Sequence, residues 1–332
     1  MRKLLLISCL LLSPGCASTP SVPVTGSPAG ADSLHQVKRV KVAEGVELEV
    51  LDFGGQGPAL VFLSGLGNTG HVFDGLAPEF TTSHHVYAFT RRGFGSSSWP
   101  DTGYDTATLG RDVVRALDGL GIGKVSLAGH SMAGDEMTWV GRQHPERIDK
   151  LVFLDATDDR AEISEFLRSF SNPPMPTVSL DGLPSRDAAA AALARDLGGP
   201  VPDHEIDLGH EFDPSTGRYL RPRRRPDVVE QMLREVAKAD FSALCAPALS
   251  LFDGEGFPQW LEFVAGLEST PADFREKARA FLPELRRSTA EKDAALRKLP
   301  GWKLVMLENA RHYIWLTNRA EVVREMRAFL AP

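Results

Sequence analysis

Cysteine is scarce in this chain, which has three cysteines among its 332 residues. Cys9 and Cys16 fall in an apolar leader, so Cys245 is the one cysteine beyond it and no internal disulfide is expected. No group of cysteines and histidines has the spacing of a zinc site. We therefore expect no metal and no other cofactor.

An excess of positive charge is also lacking, since the formal net charge is −7 at pH 7. A surface of this kind has no general attraction for nucleic acid, so we expect no nucleic-acid partner. The run Arg221-Pro-Arg-Arg-Arg-Pro226 is the exception. It is interpreted either as a solvated loop or as a contact with anionic lipid headgroups.

Long apolar runs are missing as well. The run that follows Arg2 and Lys3 has about ten residues, too few to span a bilayer permanently, and is typical of a secretion signal. Its end at Gly15-Cys16 resembles a bacterial lipoprotein signal. The resemblance implies that Cys16 is lipidated and anchors the protein to a membrane, facing the periplasm or the cell exterior. A plain cleaved signal with a soluble product is the alternative.

Residues 17–34 are rich in Pro, Ser, Thr and Gly and suit a flexible tether. Beyond them, short apolar runs typical of buried strands alternate with helical patterns, which favours an α/β domain with a mostly parallel sheet covered on both faces. The strand-like runs are 35–42, 46–53, 59–63, 86–89, 125–128, 151–154, 248–252 and 303–307. The clearest helical patterns are 106–120, 132–144 and 319–330.

This alternation is interrupted between residues 154 and 248. We interpret 157–240 as a helical lid inserted over the carboxyl ends of the strands, where ligands bind in open α/β sheets, and 35–156 with 241–332 as the core. Helix-like stretches in the lid are 161–170, 186–196 and 227–238, and a proline-rich stretch covers 172–176. A second helical excursion, 259–299, precedes the last strand.

The most informative motif is Gly129-His-Ser-Met-Ala133, between a strand-like run and a helical pattern. Strand, sharp turn and helix are the context of a nucleophile elbow, which exposes a strained serine at the amino end of the helix. Small residues around Ser131 let the strand and helix approach closely. The fifth position is Ala133 where the G-x-S-x-G pattern has glycine.

The arrangement over about 295 residues resembles the α/β-hydrolase fold, which has eight strands, an elbow after the fifth and a lid after the sixth. The segments 64–70, 90–97 and 129–136 look like the lidded serine esterase and proline-iminopeptidase branch. This resemblance implies a catalytic serine, acid and histidine in that chain order.

Under that order, Ser131 is the nucleophile and His312, on the loop after the final strand, is the base. The acid is less clear. The usual position, after the seventh strand, has Gly256 or Phe257, so we favour Asp155 at the end of the sixth strand, with Asp253 and Glu255 as alternatives.

Two backbone N–H groups, those of Leu66 and Met132, are expected to form the oxyanion hole. Together these residues predict a serine hydrolase that cleaves a small carboxylic ester through an acyl-enzyme. The alternatives are an aminopeptidase of the proline-iminopeptidase type, for which Glu162, Glu165 and Glu205 could bind the substrate amine, and an inactive tethered binding protein. The substrate and the oligomeric state are not predicted.

Overall fold

The computed structural model describes residues 34–170, 180–254, 256–268 and 270–331. The predicted lipidation site Cys16, the leader, nearly all of the tether, the proline-rich stretch 172–176 and Glu255 lie outside the described residues. No helix in the described ranges is both long and apolar enough to cross a membrane.

The described residues form ten strands. These are β1 (Gln36–Ala43), β2 (Val46–Gly54), β3 (Ala59–Leu63), β4 (His85–Thr90), β5 (Val125–His130), β6 (Ile148–Leu154), β7 (His210–Phe212), β8 (Tyr219–Pro222), β9 (Ala248–Phe252) and β10 (Trp302–Met306). Eight of them form one sheet in the order β1-β2-β4-β3-β5-β6-β9-β10, and β7 pairs with β8 as a separate hairpin. The pairs β1–β2 and β2–β4 are antiparallel, and the other pairs of the large sheet are parallel.

Ten α-helices accompany the strands in the described ranges. They are α1 (Thr106–Gly119), α2 (Ala133–Gln143), α3 (Arg160–Arg168), α4 (Arg186–Leu197), α5 (Asp203–Gly209), α6 (Pro226–Arg234), α7 (Phe257–Gly266), α8 (Ala272–Leu296), α9 (Ile314–Thr317) and α10 (Arg319–Leu330). Short 3-10 helices include Gly70–Phe73 and Ala77–Phe80, which follow β3.

Both faces of the sheet are buried, as predicted. On one face, side chains of α1 and α2 such as Leu117 and Met137 pack against strand residues. On the other, Phe73 of the first 3-10 helix and Met326 of α10 do so. The central strands consequently carry apolar side chains in both directions, which explains why their sequences are continuous apolar runs rather than alternating ones.

The segment between β6 and β9 contains α3 to α6 and the β7–β8 hairpin. Three of its helices match predicted stretches, although α6 ends at Arg234, earlier than expected. The sequence did not indicate α5 or the hairpin, because elements of seven residues or fewer are too short for a clear periodicity. Part of the arginine-rich run lies in β8, and Arg221 and Arg225 form ion pairs with neighbouring acids.

Candidate active site

The turn between β5 and α2 is very tight. Ser131 has φ +52°, in the left-handed region, and its N–H donates to the carbonyl oxygen of Leu154 over 3.2 Å. A Cβ added at Gly134 would lie 2.0 Å from the carbonyl oxygen of Ala156, so only glycine allows helix and strand end to approach this closely. The predicted elbow geometry is therefore present, and Ala133 is accommodated in it as a fully buried residue.

Three side chains predicted from different parts of the chain meet at this turn. His312 Nε2 lies 2.9 Å from Ser131 Oγ, and His312 Nδ1 lies 2.5 Å from Asp155 Oδ2. The serine follows β5, the aspartate follows β6, and the histidine lies between β10 and α9. The Asp155 side chain is 5% exposed, whereas that of His312 is 47% exposed and can be reached from solvent.

The backbone conformation at Asp155 fixes the position of its side chain. Its φ is +49°, and its N–H donates to the carbonyl oxygen of Leu251 over 2.7 Å. The left-handed conformation turns the chain sharply at the end of β6. The carboxylate therefore lies beside His312 at the carboxyl ends of the strands, while the chain continues toward α3.

Asp253, one of the alternative acids, stands next to this pair. Its backbone N–H donates to Asp155 Oδ1 over 3.4 Å, and its own Oδ1 accepts from the N–H of Gly256 over 3.1 Å. Burial and the negative charge of Asp155 raise the pKa of Asp253 to about 7. Among the described residues, Asp155 is the carboxylate in hydrogen-bond contact with His312; Glu255 lies outside them.

The charge of the site favours a protonated His312. Partial desolvation of the ring would lower the pKa of His312, but its hydrogen bond to Asp155 and the negative charges of Asp155 and Asp253 outweigh this effect and raise the pKa. With Nδ1–H donated to Asp155, the neutral imidazole presents an unprotonated Nε2 to the serine hydroxyl. That tautomer is the one a general base requires.

The loop after β3 lies against the elbow. A Cβ added at Gly65 would come within 3.2 Å of Ser131 Cβ, and the Leu66 side chain packs against the buried cluster that contains Met132. The N–H groups of Leu66 and Met132 have no hydrogen-bond acceptor among the residues described. Both donors are thus available beside the serine, as an oxyanion hole requires.

Comparison with known proteins agrees with this topology. A family profile described as "alpha/beta hydrolase fold" matches residues 58–182. The solved structure of E-2-(acetamidomethylene)succinate hydrolase superposes with a TM-score of 0.64 over 90% of this chain and all of the other, at 20% identity. A structure of a membrane phospholipase A gives a TM-score of 0.60 over 90% of this chain and 86% of the other, also at 20% identity.

The chain has the α/β-hydrolase fold. Curated relatives include 2-(acetamidomethylene)succinate hydrolase of Mesorhizobium japonicum, 26% identical over 143 residues, which are 43% of this chain and 46% of that protein. The sn-1-specific diacylglycerol lipase ABHD11 of Danio rerio is 32% identical over 130 residues, 38% of this chain and 39% of that one. The chain thus spans less than half the length of these curated relatives.

Within this α/β-hydrolase fold, Arg91 holds the loop after β3 in place. Its Nη2 donates to the carbonyl oxygen of Ser64 over 2.7 Å, its Nη1 to that of Gly65 over 3.2 Å, and its Nε to the buried carboxylate of Glu136. Both carbonyls precede Leu66, so their positions set the direction of the Leu66 N–H. The sequence showed Arg91 inside a family-like segment but gave no sign of this contact, which joins residues far apart in the chain.

His130 packs against His312 on the side away from Ser131's helix. Its ring is fully buried, lies 4.5 Å from that of His312, and its Nε2 donates to the carbonyl oxygen of His312 over 3.1 Å. Burial, and then the positive charge of His312, hold the pKa of His130 well below its usual range, so the ring is neutral. No local pattern in the sequence indicated this packing against the His312 loop.

Of the three acidic residues considered for amine binding, Glu205 is engaged elsewhere. Its carboxylate accepts from Asn68 Nδ2 over 2.9 Å and from the Thr69 N–H over 3.1 Å, and it is 5% exposed. Glu162 accepts from Ser288 Oγ over 2.8 Å, and Glu165 is exposed. Glu205 therefore joins α5 to the loop after β3.

Proposed function

We propose that this protein is a serine hydrolase that cleaves a small carboxylic ester through an acyl-enzyme. The observation that carries this proposal is that His312 contacts both Asp155, at 2.5 Å, and Ser131, at 2.9 Å. Ser131 has a left-handed backbone and lies at the amino end of α2. The names of the relatives, which include a hydrolase and a lipase, agree with acyl transfer and do not choose the substrate.

In this mechanism, Ser131 Oγ attacks the carbonyl carbon of the ester while its proton passes to His312 Nε2. Asp155 accepts the Nδ1–H and stabilises the imidazolium that forms. The carbonyl oxygen becomes negative and is bound by the N–H groups of Leu66 and Met132. The imidazolium then returns the proton to the leaving alcohol, and water, activated by the same ring, releases the acid from the serine.

An activated serine can be tested without knowing the substrate. A fluorophosphonate probe should label the wild-type protein and should fail to label Ser131→Ala and His312→Ala. Circular dichroism must show that the variants are folded, and Ser288→Ala, which changes a serine outside the site, should be labelled like the wild type. Unchanged labelling of folded Ser131→Ala would refute the assignment, and absent labelling of folded wild type would favour a binding protein.

The bond cleaved needs a second assay. Short p-nitrophenyl esters graded by acyl length, compared with proline amides, measure kcat/KM for ester and amide cleavage separately. We expect the esters to be cleaved faster, because Glu205 and Glu162 already accept hydrogen bonds from neighbouring side chains and Glu165 is exposed to solvent. Preferred cleavage of proline amides would instead establish the aminopeptidase alternative.

We further propose that Cys16 carries a lipid anchor and that residues 17–34 tether the domain to a membrane facing the periplasm or the cell exterior. The apolar leader and the Gly15-Cys16 pair support this proposal. Metabolic labelling with palmitate in a bacterial host should mark the wild type and leave Cys16→Ser unmarked. Equal release of both proteins in soluble form would show a plain cleaved signal.

A further inference from the structure

A second group of ionisable side chains is buried away from the proposed triad. His35 directly precedes β1, His71 lies in the 3-10 helix Gly70–Phe73, and Asp74 ends that helix. We call these three residues the His35 cluster. Their side chains are 8%, 5% and 6% exposed, respectively, so each is almost completely removed from solvent.

Asp74 lies between the two imidazole rings. Its Oδ1 is 3.3 Å from His35 Nε2, and its Oδ2 is 3.2 Å from His71 Nδ1. Candidate ligand atoms from all three residues lie within 4.8 Å of one another. In a tetrahedral zinc site with bonds of about 2.0–2.1 Å, neighbouring ligand atoms are about 3.3 Å apart. Each ring nitrogen thus lies at about this distance from an oxygen of Asp74, with the two rings facing different oxygens of the carboxylate.

Two atoms of the cluster have no hydrogen-bond partner among the described residues: His35 Nδ1 and Asp74 Oδ1. The second is notable because His35 Nε2 is only 3.3 Å from it, yet the two do not form an aligned hydrogen bond. A buried carboxylate oxygen without a donor is costly. A cation bound between the rings and the carboxylate would satisfy that oxygen.

The surroundings of the cluster are negative. Glu49 Oε1 lies 4.0 Å from His71 Nε2, and the buried carboxylate of Glu205 is also close enough to act on this ring. Carboxylates this close to the cluster favour a divalent cation bound among the three side chains.

We propose that His35, His71 and Asp74 bind a divalent transition-metal ion, for which Zn²⁺ is the best match to two imidazoles and one carboxylate. A bound water would complete the four ligands, beside His204, whose ring centre lies 5.0 Å from that of His71. These three residues do not have the spacing of a zinc site along the chain, and the fold brings them together. The ion would fasten the start of β1 to the helix that continues the loop after β3.

The test uses the purified full chain after treatment with EDTA and dialysis. Titration calorimetry with ZnCl₂ should show tight binding of one Zn²⁺ per chain, and thermal unfolding should show a Tm increase of several degrees at saturating Zn²⁺. His35→Ala and His71→Gln should each weaken binding by at least about tenfold and lose most of the Tm increase. His35 lies at the start of the domain, so its variant is expected to fold even if His71→Gln does not.

Two controls separate this site from other histidines. His144→Ala changes a partly exposed histidine near Glu146 and should bind Zn²⁺ like the wild type. His312→Ala removes the base of the proposed triad and should also retain tight binding of one Zn²⁺. Absence of stoichiometric binding by the wild type would overturn the proposal. So would binding that survives in folded His35→Ala or disappears in His312→Ala.

Discussion

Replacing Asp155 with asparagine tests which carboxylate orients His312. The side chain is 5% exposed and its Oδ2 lies 2.5 Å from His312 Nδ1. Asparagine has nearly the same size and tolerates the left-handed backbone at φ +49°, so the fold should be preserved. Its amide, however, can present an N–H to Nδ1. The imidazole then protonates at Nε2 and can no longer accept the proton of Ser131.

We expect Asp155→Asn to lower kcat by about 10⁴-fold, which corresponds to about 5.5 kcal/mol of transition-state stabilisation. The Asp155 hydrogen bond and charge both raise the pKa of His312, so the onset of any residual activity should also move to lower pH. Initial rates on a short p-nitrophenyl ester from about pH 5 to pH 9 measure both effects.

Asp253→Asn is the matched control, because this carboxylate lies beside Asp155 but makes no hydrogen bond to His312 in the described structure. Its kcat should stay within about tenfold of the wild type. The assignment of the acid would be refuted if folded Asp155→Asn kept near-normal activity, or if Asp253→Asn lost as much as we expect from Asp155→Asn.

A stability measurement on Asp253→Asn and two other substitutions probe the residues around the site. Asp253→Asn should stabilise the protein near pH 8.5 and have no effect near pH 3, because a carboxyl whose folded pKa is raised to about 7 costs stability once it ionises. Urea unfolding at the two pH values should show a gain in unfolding free energy of at most about 4 kcal/mol at pH 8.5 and none at pH 3. A gain at pH 3 alone would contradict this. Gly134→Ala should lower the free energy of unfolding by more than about 2 kcal/mol, since the added Cβ would lie 2.0 Å from the Ala156 carbonyl oxygen. If the variant had the same Tm as the wild type, this close contact would be excluded. Arg91→Lys should lower kcat by about 10- to 100-fold with a smaller change in KM, because one ammonium group cannot bind the carbonyl oxygens of both Ser64 and Gly65. Unchanged kcat in a folded variant would show that the loop keeps its shape without the guanidinium.

Much of the fold could be predicted because its signals are local. The strand that became β5 is an apolar run ended by small residues, and both features are readable without tertiary information. The same holds for α10, predicted at 319–330 and observed as Arg319–Leu330. Ser131 followed from the elbow motif after β5, and His312 followed from its place on the loop after the last strand, in the chain order that the family resemblance implies.

Other features depend on contacts that no local pattern reveals. The choice between Asp155 and Asp253 depends on where β6 and β9 end relative to each other, and on a left-handed turn at only one of them. The contact of Arg91 with Glu136 joins β4's end to α2, and the His35 cluster joins the start of the domain to a helix after β3. Such pairs are set by the packing of the sheet, so a single sequence could not identify them.

The distribution of backbone strain gives an independent reason to prefer Asp155. Among the described residues, three non-glycine residues have left-handed backbones: Ser131, Asp155 and Asn309. Two are the proposed nucleophile and acid, and the third is on the loop that carries His312. The conformation costs a residue such as serine about 1–2 kcal/mol and costs Asp and Asn less. Asp253 is not among them. Left-handed non-glycine residues thus occur in the three loops that present Ser131, Asp155 and His312. This distribution is expected if these loops are shaped to place the three side chains accurately rather than to maximise stability.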